Sequence, residues 1–176
     1  MKKKFLSLRK LYDEFHQEML MQNRLLVKDT GIGYWGVSPL HELFDLFEKT
    51  GLKKHKKFLD LGSGDGRAVL TARLFTNAAG IEYDNELHKH AVRLAKKANV
   101  DVTFINDDFF NHALHEYDYL FIHPDNYIRN RLERKLQEEM NEKAKLVVFG
   151  PHFHPEGLRK ETTLDVHGTL VSVFKK

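Results

Sequence analysis

The chain has 176 residues, 41% of them hydrophobic and 30% charged, and its 28 Lys and Arg side chains slightly outnumber its 25 acidic ones. This length and composition are ordinary for one globular domain with a single core. The lack of cysteine excludes disulfides, thiolate metal sites and cysteine nucleophiles. No apolar run approaches the ~20 residues that span a bilayer. Residues 1–10 have no continuous apolar core and make a poor signal peptide, so we expect a cytoplasmic protein.

The N-terminal part of the chain predicts two helices joined by a loop. Residues 5–26 carry apolar side chains at helical spacing, which predicts an amphipathic helix that breaks before Asn23. Residues 29–39 contain three glycines and the only tryptophan without any periodicity, which indicates a structured loop. Ser38 precedes a proline, and these residue types favour the N-cap and the first helical position. We therefore predict a helix over 39–49 with Ser38 as its N-cap.

A buried strand, a glycine-rich turn and the start of a helix follow one another over 57–67, with the sequence KFLDLGSGDGR. The glycines allow positive φ or the close approach of a ligand, and the free N–H groups of the helix start would face that ligand. A dinucleotide fingerprint, G-x-G-x-x-G, would need its third glycine where this chain has Arg67. The turn is G-x-G-x-G instead, with Asp60 two residues before it.

Beyond residue 57, short apolar strands alternate with amphipathic helices, which predicts right-handed βαβ units and a parallel sheet covered on both faces. The predicted strands are 57–61, 78–82, 101–105, 117–122 and 145–149. The predicted helices are 67–75, 85–98 with Asp84 as N-cap, and 127–141. Two more strands, 162–166 and 169–174, flank a His-Gly turn and form a hairpin. No helix is predicted between the fifth and sixth strands.

The D-L-G-S-G-D-G-R turn over 60–67 resembles motif I of the class I S-adenosylmethionine (SAM)-dependent methyltransferases, whose pattern is acidic-x-G-x-G-x-G. The resemblance implies an α/β fold with a seven-stranded Rossmann-like sheet, five parallel strands plus a C-terminal antiparallel hairpin, somewhat trimmed and with an N-terminal helical extension. It implies SAM as cofactor, with Asp60 near its amino group. The turn residues that would hold it are Gly62, Ser63, Gly64 and Gly66. We expect one domain, in which 1–50 supply helices and a cofactor-covering loop and 51–176 form the SAM-binding core.

The loop before this turn is the next candidate part of the site. In many class I methyltransferases a loop and helix that precede motif I close over SAM. The resemblance therefore places Tyr34 and Ser38 at the cofactor and Trp35 at the substrate rim. The alternative is that both aromatic side chains only anchor the loop in the core.

The ends of the second and third strands carry further polar groups, where ligands bind in an open α/β sheet. Glu82 follows Asp60 by about 20 residues, the spacing of an acid that bonds ribose hydroxyls, although NAD enzymes share this device. Tyr83 would cover the adenine or simply pack. By resemblance, Asp108 would accept from the adenine amine, with Asp107 beside it and Phe109 against the ring. The alternative is that both acids are solvated turn residues.

The fourth strand ends in the sequence I-H-P-D-N-Y over 122–127, the position of motif IV, which faces the transferred methyl group. Base-amino methyltransferases carry (Asp/Asn)-Pro-Pro-(Tyr/Phe) here. This chain keeps one proline and has His123 in place of the acceptor, which argues against an adenine or cytosine amine. We expect His123 to be catalytic, orienting the nucleophile or accepting its proton, with Pro124 at the substrate rim. The alternative is a structural histidine.

Four segments resemble small archaeal-type protein-lysine methyltransferases. They are the motif I turn, G-I-E-Y-D at 80–84, F-I-N-D-D-F-F at 104–110 and the aromatic, histidine- and proline-containing stretch at 149–155. His152 and His154 of the last segment would be substrate contacts at the rim. Their H-x-H spacing, together with His123 and Asp125, suggests a metal site as an alternative. No other residues have the spacing of metal ligands, so we predict no metal site. Arg131 lies on the helix after strand four, on its solvated face or facing an anionic substrate.

The leading hypothesis is an enzyme that transfers a methyl group from SAM to a protein lysine side chain. One alternative is an RNA or DNA methyltransferase, which the mild basicity and the partial motif IV favour. The other is a SAM-binding module without catalysis. We expect a protein substrate, with nucleic acid as the alternative partner, and no membrane partner.

Overall fold

The computed structural model describes residues 1–31, 33–124 and 129–176. The helices are α1 (Lys2–Met21), α2 (Leu40–Lys49), α3 (Arg67–Ala72), α4 (Asn85–Ala98) and α5 (Arg129–Glu139), with 3₁₀ turns at Leu52–Lys54 and Phe109–Asn111. The strands are β1 (Val27–Asp29), β2 (Tyr34–Gly36), β3 (Lys57–Leu61), β4 (Asn77–Glu82), β5 (Thr103–Asn106), β6 (Tyr119–Ile122), β7 (Lys145–Phe149), β8 (Arg159–Val166) and β9 (Thr169–Lys175). Within the described ranges, no helix is long and apolar enough to cross a membrane.

Seven strands form one sheet in the order β5-β4-β3-β6-β7-β9-β8. The pairs among β3 to β7 are parallel, whereas β9 runs antiparallel to both of its neighbours. The chain winds outward from β3 to β5 and then returns to place β6 on the other side of β3. This reversal opens a crevice at the carboxyl ends of β3 and β6, where ligands bind in such sheets. The predicted α/β fold with a C-terminal hairpin is confirmed.

Two hydrophobic clusters cover the two faces of the sheet. Successive side chains of a strand point to opposite faces, so Phe58 packs with Phe47 of α2 on one face. Its neighbour Leu59 packs with Leu132 of α5 on the other. A third cluster forms where α1 lies against α3 and α4. Asp60 follows Phe58 by two positions and is also buried, which places its carboxylate at the end of the central strand.

Several predicted elements differ in detail from the structure. The predicted N-terminal helix ends at Met21, and Asn23 has a positive φ of 55°. The predicted loop over 29–39 contains β2 and the last residue of β1, which pair as an antiparallel hairpin. The helix predicted over 67–75 ends at Ala72. Part of the helix predicted over 127–141 lies outside the described residues, and its described part is α5.

The prediction that Ser38 caps α2 is wrong. Pro39 occupies the N-cap with extended dihedrals (φ −62°, ψ 131°), and no side chain caps the helix. The Ser38 hydroxyl instead hydrogen-bonds Nδ1 of His123 at 3.0 Å. A serine hydroxyl can cap a helix or hydrogen-bond a residue distant in sequence, and Ser38 does the second. The N-cap role predicted for Asp84 is confirmed, since its carboxylate accepts from the backbone N–H groups of Glu86 and Leu87.

Candidate functional site

A cavity of about 630 Å³ lies at the carboxyl ends of β3, β4 and β6. The glycine-rich turn after β3 forms one side and the β1–β2 hairpin covers another. The predicted site residues that line it are Tyr34, Trp35, Ser38, Asp60, Gly62, Ser63, Gly64, Glu82, Tyr83, Asp108, Phe109, His123, Pro124 and His152. Residues that are far apart in sequence thus converge on one site.

Three predicted site residues lie away from this cavity. Gly66 has a φ of +79°, and a Cβ there would come within 2.6 Å of the Phe104 ring, so its glycine serves close packing of α3. The carboxylate of Asp107 bonds within its own segment, to the side chains of Asn111 and His112. His154 is exposed, with its ring 6.2 Å from that of Phe174. None of the three is positioned to touch a ligand in this cavity.

The turn after β3 brings backbone and a half-buried indole together. Gly64 has a φ of +54°, and a Cβ there would lie 2.4 Å from Nε1 of Trp35. Only glycine lets the indole lie against the turn. The hydroxyl of Ser63 is buried beside the cavity and has no hydrogen-bond partner among the described residues. Since buried polar groups are nearly always paired, this hydroxyl indicates a polar ligand.

Two buried carboxylates face the cavity from the ends of β3 and β4. Asp60 is 3% exposed, and its pKa is raised well above the ordinary value by burial and then by the charges of Glu82 and Asp65. Burial also raises the pKa of Glu82, although backbone N–H groups of Asp84 and Gly64 donate to its carboxylate at 2.8 and 2.7 Å. Two crowded, dehydrated carboxylates favour a ligand that brings positive charge and hydrogen-bond donors.

A buried ion pair behind the turn was not identified from the sequence. The Arg67 guanidinium donates to the Asp65 carboxylate, at 2.9 Å from Nε, and to the backbone carbonyl of Ser38 at 3.1 Å. Its other nitrogen hydrogen-bonds His16 of α1 at 2.8 Å. The Tyr12 hydroxyl, also on α1, donates to the carbonyl of Asp65 at 2.9 Å. The one feature of Arg67 that stood out in the sequence was its position, where a dinucleotide fingerprint has its third glycine.

The far end of the cavity is aromatic and acidic. One oxygen of Asp108 accepts from the backbone N–H of Phe110 at 3.0 Å, and the other lies 3.4 Å from the Arg131 guanidinium. That guanidinium stacks 3.8 Å above the Phe110 ring. Phe110 and Arg131 line the cavity together with Tyr83 and Phe109. A planar, hydrogen-bonding ring fits such surroundings, and sequence reasoning gave neither Phe110 nor Arg131 this role.

His123 stands at the end of β6, where the acceptor side of the cavity begins. Its side chain is exposed at the cavity, with Ser38 bonded to Nδ1 and the Phe149 ring edge-on at 5.0 Å. Burial lowers the pKa of His123 below its ordinary range, as does nearby His152, while Glu42 raises it. The imidazole is therefore neutral at pH 7 and can accept a proton.

A metal centre finds no support in the described ranges. Apart from residues 32 and 125–128, no group of three or more His, Asp and Glu side chains is placed to hold an ion. Asp125, raised as a ligand, lies outside the described residues, as do Asn126 and Tyr127 of the motif IV segment.

The cavity suits the groups of SAM. The amino group and sulfonium of SAM are cationic and complement a site with two carboxylates, and the adenine of SAM suits the aromatic end. The strand order, the acid-tipped glycine turn and this cavity together define a class I, Rossmann-like SAM-dependent methyltransferase. The chain belongs to the family described as the ANTKMT methyltransferase domain, whose model matches residues 60–154, more than half of the chain.

Solved structures support the same class. An RNA methyltransferase from Salinibacter ruber, in complex with S-adenosyl-L-homocysteine, is 26% identical with a TM-score of 0.71, over 79% of this chain and 92% of that one. The putative methyltransferase yhhF from Escherichia coli is 15% identical with a TM-score of 0.66, over 86% and 91%. The PH0226 protein from Pyrococcus horikoshii OT3 is 15% identical with a TM-score of 0.63, over 76% and 88%. A search of curated proteins found no match.

These findings make the protein a SAM-dependent methyltransferase. They confirm the predicted enzyme class and the predicted cofactor, SAM. The methyl acceptor is a separate question, which depends on the surroundings of His123.

Proposed function

We propose that the protein transfers the methyl group of SAM to a lysine side chain of a protein. The observation that carries this proposal is the neutral imidazole of His123, which is hydrogen-bonded to Ser38 at the end of β6, the position that by resemblance to motif IV faces the transferred methyl group. Enzymes that methylate base amines use a carbonyl or carboxylate acceptor at this position, by the resemblance given above. Membership of the ANTKMT methyltransferase domain family also supports a protein lysine acceptor.

We assign cofactor binding to side chains of the larger cavity. Asp60 would hold the amino group, Glu82 the ribose hydroxyls, and Asp108 with Phe109 the adenine. The exposed ring of Tyr83 would cover the adenine from outside. When bound, SAM supplies an electrophilic methyl group, which bonds to the acceptor nitrogen as its bond to sulfur breaks and the electron pair stays on sulfur.

The main obstacle to lysine as a nucleophile is its positive charge. A lysine ammonium has an ordinary pKa of about 10.4, so removing its proton at pH 7 costs about 4.6 kcal/mol. The neutral ring of His123 can accept that proton on its way to solvent, and Ser38 fixes the orientation of the ring, while the free-energy cost of deprotonation itself is unchanged. A base and an orienting partner within hydrogen-bond reach is the usual arrangement for proton transfer.

Label transfer tests the acceptor directly. The purified protein is incubated with methyl-labelled SAM and, separately, with total cell protein and total cell RNA. We expect label in the protein fraction, recovered as methyllysine after acid hydrolysis. Label that enters RNA alone and is released by ribonuclease would overturn the proposal.

RNA is the second candidate acceptor, on one specific observation. The Salinibacter ruber structure, 26% identical to this chain, is described as an RNA methyltransferase. The net charge of +3 is compatible with an anionic substrate. The RNA arm of the same experiment decides between the two.

A further inference from the structure

A second cavity of about 430 Å³ adjoins the first. It lies between the start of α2, the end of β7 and the β8–β9 turn. His123 and His152 line both cavities, so they stand where the two meet. Its other walls include the apolar side chains of Val37, Phe149 and Leu170. A group that entered here would reach His123 at the boundary between the two cavities.

One carboxylate in this second cavity has a buried oxygen without a hydrogen-bond partner among the described residues. Glu42 lies in the first turn of α2 and is only 8% exposed. Its Oε2 atom is buried and has no hydrogen-bond partner among the described residues. The free N–H groups at the helix start favour its negative charge. A buried carboxylate oxygen without a partner is costly, so this atom calls for a partner such as a bound cation.

The chemistry of the cavity specifies the ligand. Apolar walls suit an alkyl chain, and a single buried carboxylate suits a cation with N–H donors at the end of that chain. A neutral base amine would leave the charge of Glu42 uncompensated. The nearby His123 ring is itself neutral and supplies no positive charge.

We propose that the second cavity binds the alkylammonium side chain of the acceptor and that Glu42 pairs with its positive end beside His123. This inference rests on the proposed function, because it names the site through which lysine reaches the enzyme. Glu42 is thus a substrate-binding residue that selects primary alkylamines over the neutral amines of bases.

A small-molecule probe tests the cavity without any protein acceptor. Ligand-observed NMR measures binding of n-butylammonium and of 1-butanol to the protein saturated with S-adenosylhomocysteine. We compare wild type, Glu42→Gln and the matched control Glu48→Gln, which changes an exposed carboxylate on the same helix. We expect wild type and the control to bind n-butylammonium at least tenfold more tightly than Glu42→Gln does, a difference of about 1.4 kcal/mol or more. 1-Butanol should not distinguish the three proteins.

Heat stability separates a binding role from a structural one. Glu42→Gln removes an unpaired buried charge at nearly constant volume, so its melting temperature should equal or exceed that of wild type. A lower melting temperature would overturn the premise that the Glu42 carboxylate is unpaired, and unchanged affinity for n-butylammonium would show that Glu42 does not bind the ligand.

Kinetics distinguish failure of this inference from failure of the proposed function. With the labelled protein fraction as acceptor, Glu42→Gln should raise KM for the acceptor at least tenfold and leave SAM affinity unchanged. Methyllysine formed equally well by Glu42→Gln would refute the inference alone. If label enters RNA alone but n-butylammonium binding still depends on Glu42, the proposed function is refuted and the cation site is retained.

Discussion

Asp60 stands out among the individual residues, because its carboxylate is buried beside a second one. Its pKa is raised by burial, by Glu82 and by Asp65. The stability that the protonated form contributes is fully present below the ordinary pKa of about 3.9 and is lost as pH rises through the raised folded value. At neutral pH the ligand-free fold therefore carries an electrostatic strain at this residue, which a cationic ligand relieves.

Replacing Asp60 should separate stability from binding. Asp60→Asn removes the charge but keeps the shape, so we expect a higher melting temperature of the ligand-free protein at pH 7. SAM affinity should fall about tenfold to a hundredfold, because hydrogen bonds to charged groups contribute about 1.5–3 kcal/mol. Scanning fluorimetry and calorimetry measure the two effects, with exposed Asp13→Asn as the control. Wild-type SAM affinity in Asp60→Asn would contradict the assignment.

His123 makes a prediction about pH. Burial, followed by the neighbouring His152, lowers the pKa of His123 against the opposing effect of Glu42, so the ring is neutral at pH 7 and becomes protonated only as pH falls through that lowered value. Turnover should therefore fall on the acid side, below about 6.5, the ordinary pKa of histidine. His123→Gln should reduce kcat about 10²- to 10⁴-fold, the usual contribution of proton transfer.

The control for His123 is His115→Gln, which changes an exposed histidine. Calorimetry should show SAM bound by His123→Gln with nearly wild-type affinity. If the fall in turnover at acidic pH is unchanged in His123→Gln, His123 has a structural role only.

At the scale of elements, α1 supports the cofactor turn from behind. Tyr12 of α1 is fully buried, and its hydroxyl donates to the carbonyl of Asp65 at 2.9 Å. The Arg67 guanidinium lies 5.1 Å from the centre of the same ring. The N-terminal helix is thus coupled to the shape of the glycine-rich turn, although it does not line the cavity.

This coupling predicts a binding defect from a distant change. Tyr12→Phe removes one buried hydrogen bond, so we expect a loss of about 1 kcal/mol in the free energy of unfolding. SAM affinity should fall as well, because the Asp65 segment loses an anchor. Leu6→Ala, on the exposed side of α1, is the control. Denaturant titration and calorimetry provide the measurements, and a stability loss without any loss of affinity would limit α1 to a scaffolding role.

The β1–β2 hairpin shows what periodicity does not reveal. Each strand has three residues, too few for an alternating pattern to stand out from a glycine-rich background. The sequence therefore predicts a loop, which is right about the position of Tyr34 and Trp35 in front of the turn but wrong about its backbone.

Over the whole molecule, strongly patterned elements were predictable. β3, α4 and β7 have the bounds that the sequence predicts, because each combines clear periodicity or a buried run with distinct end signals. The glycine-rich turn was predictable because its residues are contiguous in the sequence. The parallel sheet and its C-terminal antiparallel pair were predictable from the βαβ rule and the family resemblance together.

The rest of the site depends on contacts between distant parts of the chain. The Ser38–His123 hydrogen bond joins residues 85 positions apart, and local capping rules cannot anticipate it. Glu42 reads in the sequence as an ordinary acidic residue in a first helical turn. Only the folded chain shows that its carboxylate is buried beside a histidine.

The contact between Trp35 and Gly64 has a practical consequence. Trp35 is the only tryptophan of the sequence, and its indole lies against the turn that would hold the cofactor. Indole emission depends on local polarity. The tryptophan fluorescence of this enzyme therefore comes from one residue, which lies beside the candidate cofactor site. Cofactor occupancy can thus be followed by light emission alone, in the unlabelled wild-type protein.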